Sequence, residues 1–252
     1  MTLAVENIRL AFGGFQALGG VSLCVQRGGL VGLIGPNGAG KSTLFSVISG
    51  FLSPDGGTVR LDDEDLAPLS PSARARRGLL RTFQVPKEFA HLSVRDNLKA
   101  AARGQVGESL VGLFVRPGEV RRQERAIGEK ADEVVEFLKL RPVAETPAGG
   151  LSGGQKKLLE LGRVLMVEPS LILLDEPFAG VNPVLIEEIV VQVRELNARG
   201  IGFLIIEHDL GTLTRLVPVL HVMDRGRLLA SGTPSEVLSD AAVREAYLGG
   251  AS

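Results

Sequence analysis

Nine residues, "GPNGAGKST" at positions 35–43, constrain this chain more than any other stretch. They fit the spacing G-x-x-x-x-G-K-[ST], and they sit where that spacing has a mechanism, between the apolar run "GLVGLI" and a helix-like segment. Glycines let a backbone turn its N–H groups toward phosphate oxygens, and a helix start adds partial positive charge. Gly35, Pro36, Asn37, Gly38, Ala39, Gly40, Lys41, Ser42 and Thr43 therefore make a candidate triphosphate cradle. Lys41 would reach the β- and γ-phosphates, and the Ser42 hydroxyl would serve Mg²⁺. A loop of this kind requires a buried strand before it and a helix after it, which commits the chain to a layered α/β architecture.

The rest of the chain repeats that arrangement. Residues 3–34 read as short strands with turn glycines, "GGTVRLDDEDL" as a strand and turn, and "LLRTFQ" at 79–84 as a buried strand ending in a loop. "LILLDEP" and "IGFLIIEHD" are further apolar strands that end in acids or histidine, and between them Asn182 and Pro183 suit a helix cap and first turn. Leu185, Ile189, Val193 and Leu196 then mark one apolar helix face. Residues 93–140 turn helical and charged, interrupted by "RGQVGESLVGLFVRPGE", and suggest a helical subdomain. Strands alternating with helices predict a mostly parallel sheet with ligands at the strands' carboxyl ends. At 252 residues and 44% hydrophobic content the chain can bury a large core. Its net charge of −1 argues against nucleic acid as a partner. One cysteine, Cys24, excludes an internal disulfide framework, and its alternation with Val21, Leu23 and Val25 marks it as an ordinary strand residue. No apolar run approaches the roughly 20 residues of a membrane-spanning helix, so the expected location is cytoplasmic and any membrane role comes through a partner.

Two further segments carry chemistry. In "LILLDEP", Asp175 and Glu176 would stand beside the phosphate loop if their strand neighbours the one before it. Asp175 would then hold Mg²⁺, and Glu176 would orient and polarise an attacking water. Alone, two acids after a strand also describe a solvated turn. In "LSGGQ" at 151–155, Ser152, Gly153 and Gly154 open a second helix whose free N–H groups favour an anion, yet no lysine follows. A serine cap with glycines for a tight turn explains "SGG" equally well.

The complete LSGGQ upstream of LDEP, together with the loop at 35–43, resembles the ATP-binding cassette family. That resemblance spans essentially the whole chain. It implies one cassette over residues 1–252: a P-loop core with a mostly parallel sheet, an antiparallel β subdomain, and a helical subdomain inserted at about 90–165. It also implies that Ser152, Gly153, Gly154 and Gln155 complete the ATP site of an opposite protomer, so that ATP drives dimerisation. Phe12 matches the aromatic that stacks on adenine, Gln84 the glutamine that contacts Mg²⁺ and relays to the membrane partner, and His208 the switch histidine at the γ-phosphate. Residues 178–182 match the loop that crosses the dimer. Many cassettes carry aspartate where this chain has Asn182. His91 and His221 match nothing in the family.

Within the family, "RTFQ", "GLFVRPGEVRRQ", "AGVNP", "IEHD" and "AYLG" resemble the ATPase subunits of importers for branched-chain amino acids and related amides. This narrower resemblance implies a second cassette, identical or a sister chain, beneath two membrane permeases fed by an extracytoplasmic solute-binding protein. The ATPase itself would lie peripherally on the inner face of the membrane. "PLSPSARARRG" and "DEPFAGV" also look like the ATPase of lipopolysaccharide export. A kinase would need neither LSGGQ nor a switch histidine, and soluble cassette proteins usually carry two cassettes or a long coiled insertion.

Overall fold

The computed structural model describes residues 2–82, 88–103 and 117–248, with the side chains of 117, 247 and 248 left aside. The described chain divides into two compact units. The first combines residues 1–84, 169–179 and 193–252; the second combines 85–168 and 180–192.

The first unit holds two sheets. One is antiparallel, built from β1 (Leu3–Phe12), β2 (Phe15–Val25), β4 (Gly56–Leu61) and β5 (Glu64–Asp65) in the order β2-β1-β4-β5. Sequence suggested short strands here, whereas β1 and β2 run 10 and 11 residues. The apparent breaks are bulges: pairing slips between Val5 and Ile8 and between Leu10 and Ala11, and Gly20 adopts a positive φ inside β2. Asp62 and Asp63 turn β4 into β5, both with positive φ, as a two-residue hairpin requires. Val21, Leu23 and Val25 are buried while Ser22, Cys24 and Gln26 are exposed, the alternation expected around Cys24.

The second sheet has six strands: β3 (Leu30–Ile34), β6 (Leu79–Arg81), β7 (Leu171–Asp175), β8 (Gly202–Ile206), β9 (Val219–Asp224) and β10 (Arg227–Gly232). Its order is β10-β9-β3-β8-β7-β6, parallel except for β10. β3, β7 and β8 are buried at every position, which is why their sequences are unbroken apolar runs rather than alternating ones. β3 and β7 are not neighbours, since β8 lies between them, so the condition set for placing Asp175 and Glu176 beside the phosphate loop is not met by strand adjacency. The strand at 79–84 is described only as far as Thr82; Phe83 and Gln84 lie outside the described residues. The α/β class, parallel core sheet and separate antiparallel sheet match the architecture the resemblance implied.

In the second unit, helices Val94–Ala101 and Pro117–Phe137 account for the charged helical stretch at 93–140, and helix Gly153–Leu165 follows it. Gly162 stands against Leu98, Val134 and Leu138; an added Cβ would lie 2.8–3.2 Å from their side chains, so a small residue lets the three helices approach.

His221 sits mid-strand in β9, opposite Leu33 and Ser231, and is buried. Neither ring nitrogen has a hydrogen-bond partner among the described residues. Burial holds its pKa below the ordinary 6.5. The folded state therefore binds this proton less readily than the unfolded state, so stability is complete above about 6.5 and declines as pH falls below it. His221→Leu is expected to raise stability by about 1–2 kcal/mol near neutrality, by removing unpaired buried nitrogens, and to flatten the decline on acidification. Urea midpoints at neutral and mildly acidic pH test this; equal acid sensitivity in both proteins would show that other groups set it.

Candidate functional site: a phosphate loop with two carboxylates and a histidine

The loop at 35–43 joins β3 to helix Lys41–Ile48. Two of its glycines are steric requirements. A Cβ on Gly35, at φ +152°, would lie 2.1 Å from the Met223 carbonyl oxygen, and one on Gly40, at φ +97°, would lie 2.7 Å from that of Ala17. The loop is tied down from outside as well: Gly226 N–H donates to the Ala39 carbonyl at 3.0 Å, and Gly19 N–H to that of Gly226 at 2.7 Å. The first backbone bond of the helix runs from Leu44 N–H to the Gly40 carbonyl, and Ala39 N–H turns back to the Pro36 carbonyl at 3.2 Å, so the amides of Lys41, Ser42 and Thr43 are left for a ligand.

Lys41 folds back over this loop, donating to the carbonyls of Gly35 at 2.7 Å and Pro36 at 3.0 Å. Burial lowers its pKa, and the charges of Glu176 and Asp175 oppose that shift. The two carboxylates thus act on Lys41 even though their strand is not adjacent to β3. What brings them together is the loop's position above the carboxyl ends of all three strands.

Glu176 follows β7 in a left-handed backbone conformation, φ +51°, with its N–H donating to the Ile206 carbonyl at 2.9 Å. Such a conformation is uncommon for a residue with a side chain, and the β8 carbonyl holds it in place. Its Oε1 lies 2.9 Å from His208 Nε2. With a carboxylate opposite, Nε2 is the donor. Glu207, missed in the sequence reading, braces both arms: buried, it accepts the N–H of Phe178 at 2.6 Å and of His208 at 2.9 Å. Burial raises its pKa, and the backbone N–H donors work against that rise.

Asp175, nearly buried, pairs through Oδ2 with Arg81 Nη2 at 2.8 Å, while its N–H donates to Thr82 Oγ1 at 3.2 Å. Oδ1 has no hydrogen bond among the described residues. One free carboxylate oxygen and the Ser42 hydroxyl suit Mg²⁺, which takes few protein ligands and completes its shell with water and substrate phosphate. No group of three or more His, Cys, Asp or Glu placed to hold a metal occurs among the described residues.

A cavity of about 330 Å³ opens over the loop, lined by Phe12, Phe15, Lys41, Thr43, Glu176 and His208 among others. Phe12 and Phe15 are paired directly across the β1–β2 hairpin and are half or more exposed, 50% and 66%. Paired strand residues share one face, so both rings border the space a planar base would occupy. Phe15 was legible only in retrospect, as the second aromatic of "FGGF".

In the second unit Ser152 caps helix Gly153–Leu165, accepting Gln155 N–H at 3.3 Å, while Gln155 Oε1 accepts Ser152 N–H at 2.9 Å. Gln155 is therefore half of a capping box. An added Cβ on Gly154 would sit 2.1 Å from Leu185 Cδ2, so this glycine also serves packing. Asn182 Oδ1 accepts Leu185 N–H at 3.0 Å, the helix cap expected of it.

The comparisons with known proteins agree with this arrangement. Residues 18–179 match the family model described as ABC transporter, and 227–252 match the one described as branched-chain amino acid ATP-binding cassette transporter. A probable branched-chain amino acid transport ATP-binding protein of Methanocaldococcus jannaschii is 43% identical, covering 98% of this chain and 97% of that one. The lipopolysaccharide export ATP-binding protein of Escherichia coli is 36% identical, covering 98% and 97%. A nucleotide-free ATP-binding cassette from an ABC transporter superposes with a TM-score of 0.84 at 42% identity, covering 98% and 99%, and an ADP-bound cassette with 0.83 at 41%, covering 99% of each. With a P-loop, a nucleotide-sized cavity and relatives of this closeness along its length, the chain belongs to the ATP-binding cassette family, as an ATP-hydrolysing, ATP-binding subunit of a transporter.

Proposed function

We propose that this ATPase drives import of branched-chain amino acids or related small amides. The observation that carries the proposal is the match of residues 227–252 to the branched-chain amino acid cassette model; the 43% identical relative, named for the same transport, supports it. In this reading the 252 residues form one cassette with a helical insertion at about 90–165. It works with a second cassette, the same or a sister chain, on two permeases at the inner face of the membrane. An extracytoplasmic binding protein delivers the cargo. No helix among the described residues is long and apolar enough to cross a membrane, consistent with attachment through permeases.

In this reading the residues of the site divide the chemistry among them. Phe12, with Phe15 beside it, stacks on adenine, and the loop amides with Lys41 hold the phosphates. Ser42, Gln84 and Asp175 would hold Mg²⁺, which would supply positive charge beside the terminal phosphates. Glu176, aimed by its backbone and by His208, orients the attacking water and takes up its proton. Ser152, Gly153, Gly154 and Gln155 complete the partner's site, so ATP favours the closed dimer through its greater affinity for that state, and hydrolysis reopens it.

The test is capture of partners from detergent-solubilised native membranes by a tagged, ATP-locked Glu176→Gln variant, followed by leucine uptake with and without the captured permeases. Two polytopic permeases, a second cassette and ATP-dependent uptake are expected. Recovery of lipopolysaccharide-export components, or of soluble partners alone, would overturn the importer reading while leaving the ATPase intact.

A further inference from the structure

Arg81 is the residue whose contacts the mechanism above leaves unused. It ends β6, the edge strand beside β7, and its side chain is 10% exposed against 5% for Asp175. One guanidinium nitrogen, Nη2, donates to Asp175 Oδ2 at 2.8 Å; the other, Nη1, donates to Ser46 Oγ at 3.0 Å. Ser46 Oγ in turn donates to the Ser42 carbonyl at 2.7 Å. The guanidinium carbon lies 5.6 Å from the centre of the Phe45 ring, within cation–π range. The backbone on the same side is fixed too, since Thr82 N–H donates to the Leu173 carbonyl at 3.0 Å and Thr82 Oγ1 accepts Asp175 N–H. A single planar fork thus joins the carboxyl end of β7 to the first turns of the P-loop helix. These two places carry Ser42 and Asp175, two of the three residues proposed for Mg²⁺.

We infer that Arg81 is the positioning residue of the Mg²⁺ site: it clamps Asp175 by Oδ2 so that Oδ1 faces the metal, and through Ser46 it sets the distance to Ser42. The inference rests on the Mg²⁺ assignment of Ser42 and Asp175 made above. A guanidinium suits the task because its donors diverge in one plane at fixed angles, whereas an ammonium's three donors radiate from one rotating nitrogen and fix no such plane. An outer-shell partner of this kind acts on metal affinity through the ligand it holds. A purely structural arginine would affect nucleotide binding with and without metal alike.

The experiment compares ATP affinity in Mg²⁺ with ATP affinity in EDTA, by calorimetry on the full chain, for the wild type, Arg81→Ala, Arg81→Lys and Ser46→Ala. Arg81→Ala is expected to shrink the Mg²⁺-dependent gain about tenfold or more while the EDTA affinity stays within about twofold. Arg81→Lys, which keeps the charge opposite Asp175 and safeguards folding, should recover part of the gain. Ser46→Ala, which cuts only the path to Ser42, should lose a few-fold. If folded Arg81→Lys and Ser46→Ala both keep the full gain, or if any Arg81 variant binds Mg²⁺ more tightly, the inference fails; the second result would make Arg81 a competitor of the metal. A wild type with no Mg²⁺-dependent gain would overturn the metal assignment itself, and the inference with it.

Discussion

Glu176→Gln is expected to lower steady-state phosphate release at least about 100-fold, the range a positioned general base supplies, while ATP affinity changes little. The geometry explains the separation. Gln keeps an oxygen to accept from His208 Nε2, now 2.9 Å from Glu176 Oε1, and the backbone bond to Ile206 does not involve the side chain. Only the carboxylate's capacity to draw a proton from water is removed. The bound triphosphate then persists, and size-exclusion chromatography in ATP and Mg²⁺ should show a dimer that the wild type forms only briefly. Phosphate release at the wild-type rate would place the base elsewhere. Loss of ATP binding with a normal melting curve would make Glu176 a ligand-holding group instead.

Arg74→Ala should cost about 4 kcal/mol of stability, read as a shift in the urea midpoint. Arg74 is buried, and its guanidinium donates to four backbone carbonyls: Val47 at 2.7 Å, Ile48 at 2.8 Å, Leu66 at 2.8 Å and Leu69 at 3.1 Å. Two of these close the P-loop helix, where a positive charge also meets the negative end of the helix dipole. Truncation leaves buried carbonyls without donors, and bonds to a charged group are worth about 1.5–3 kcal/mol each before losses to non-additivity. Gly50 shows how closely the arginine is enclosed: a Cβ there would lie 2.8 Å from Arg74 Nε. A shift below about 1 kcal/mol would mean that water replaces those donors.

Arg74 also illustrates where sequence reading stops. In "SPSARARRG" three arginines look alike, and nothing local distinguishes the one that turns inward. The same holds for Arg81 and Glu207, each flanked by residues with recognisable roles. Their partners lie 94 and 29 positions away, at Asp175 and Phe178. His208 and Glu176 were both legible as strand-end residues, but their 2.9 Å contact was not.

What the sequence by itself determined was everything that depends on local spacing: the P-loop between β3 and its helix, the unbroken apolar strands, and the serine cap at LSGGQ. These are written in consecutive residues because backbone conformation and helix capping are short-range interactions. Tertiary structure alone decided the strand order that sets β8 between β3 and β7. It also decided the Met223 carbonyl that requires Gly35 to be glycine, and the arginine that ties Asp175 to the P-loop helix. Those are contacts between residues far apart in the chain, where burial makes each unpaired polar group costly and only the packed fold specifies which partner meets it.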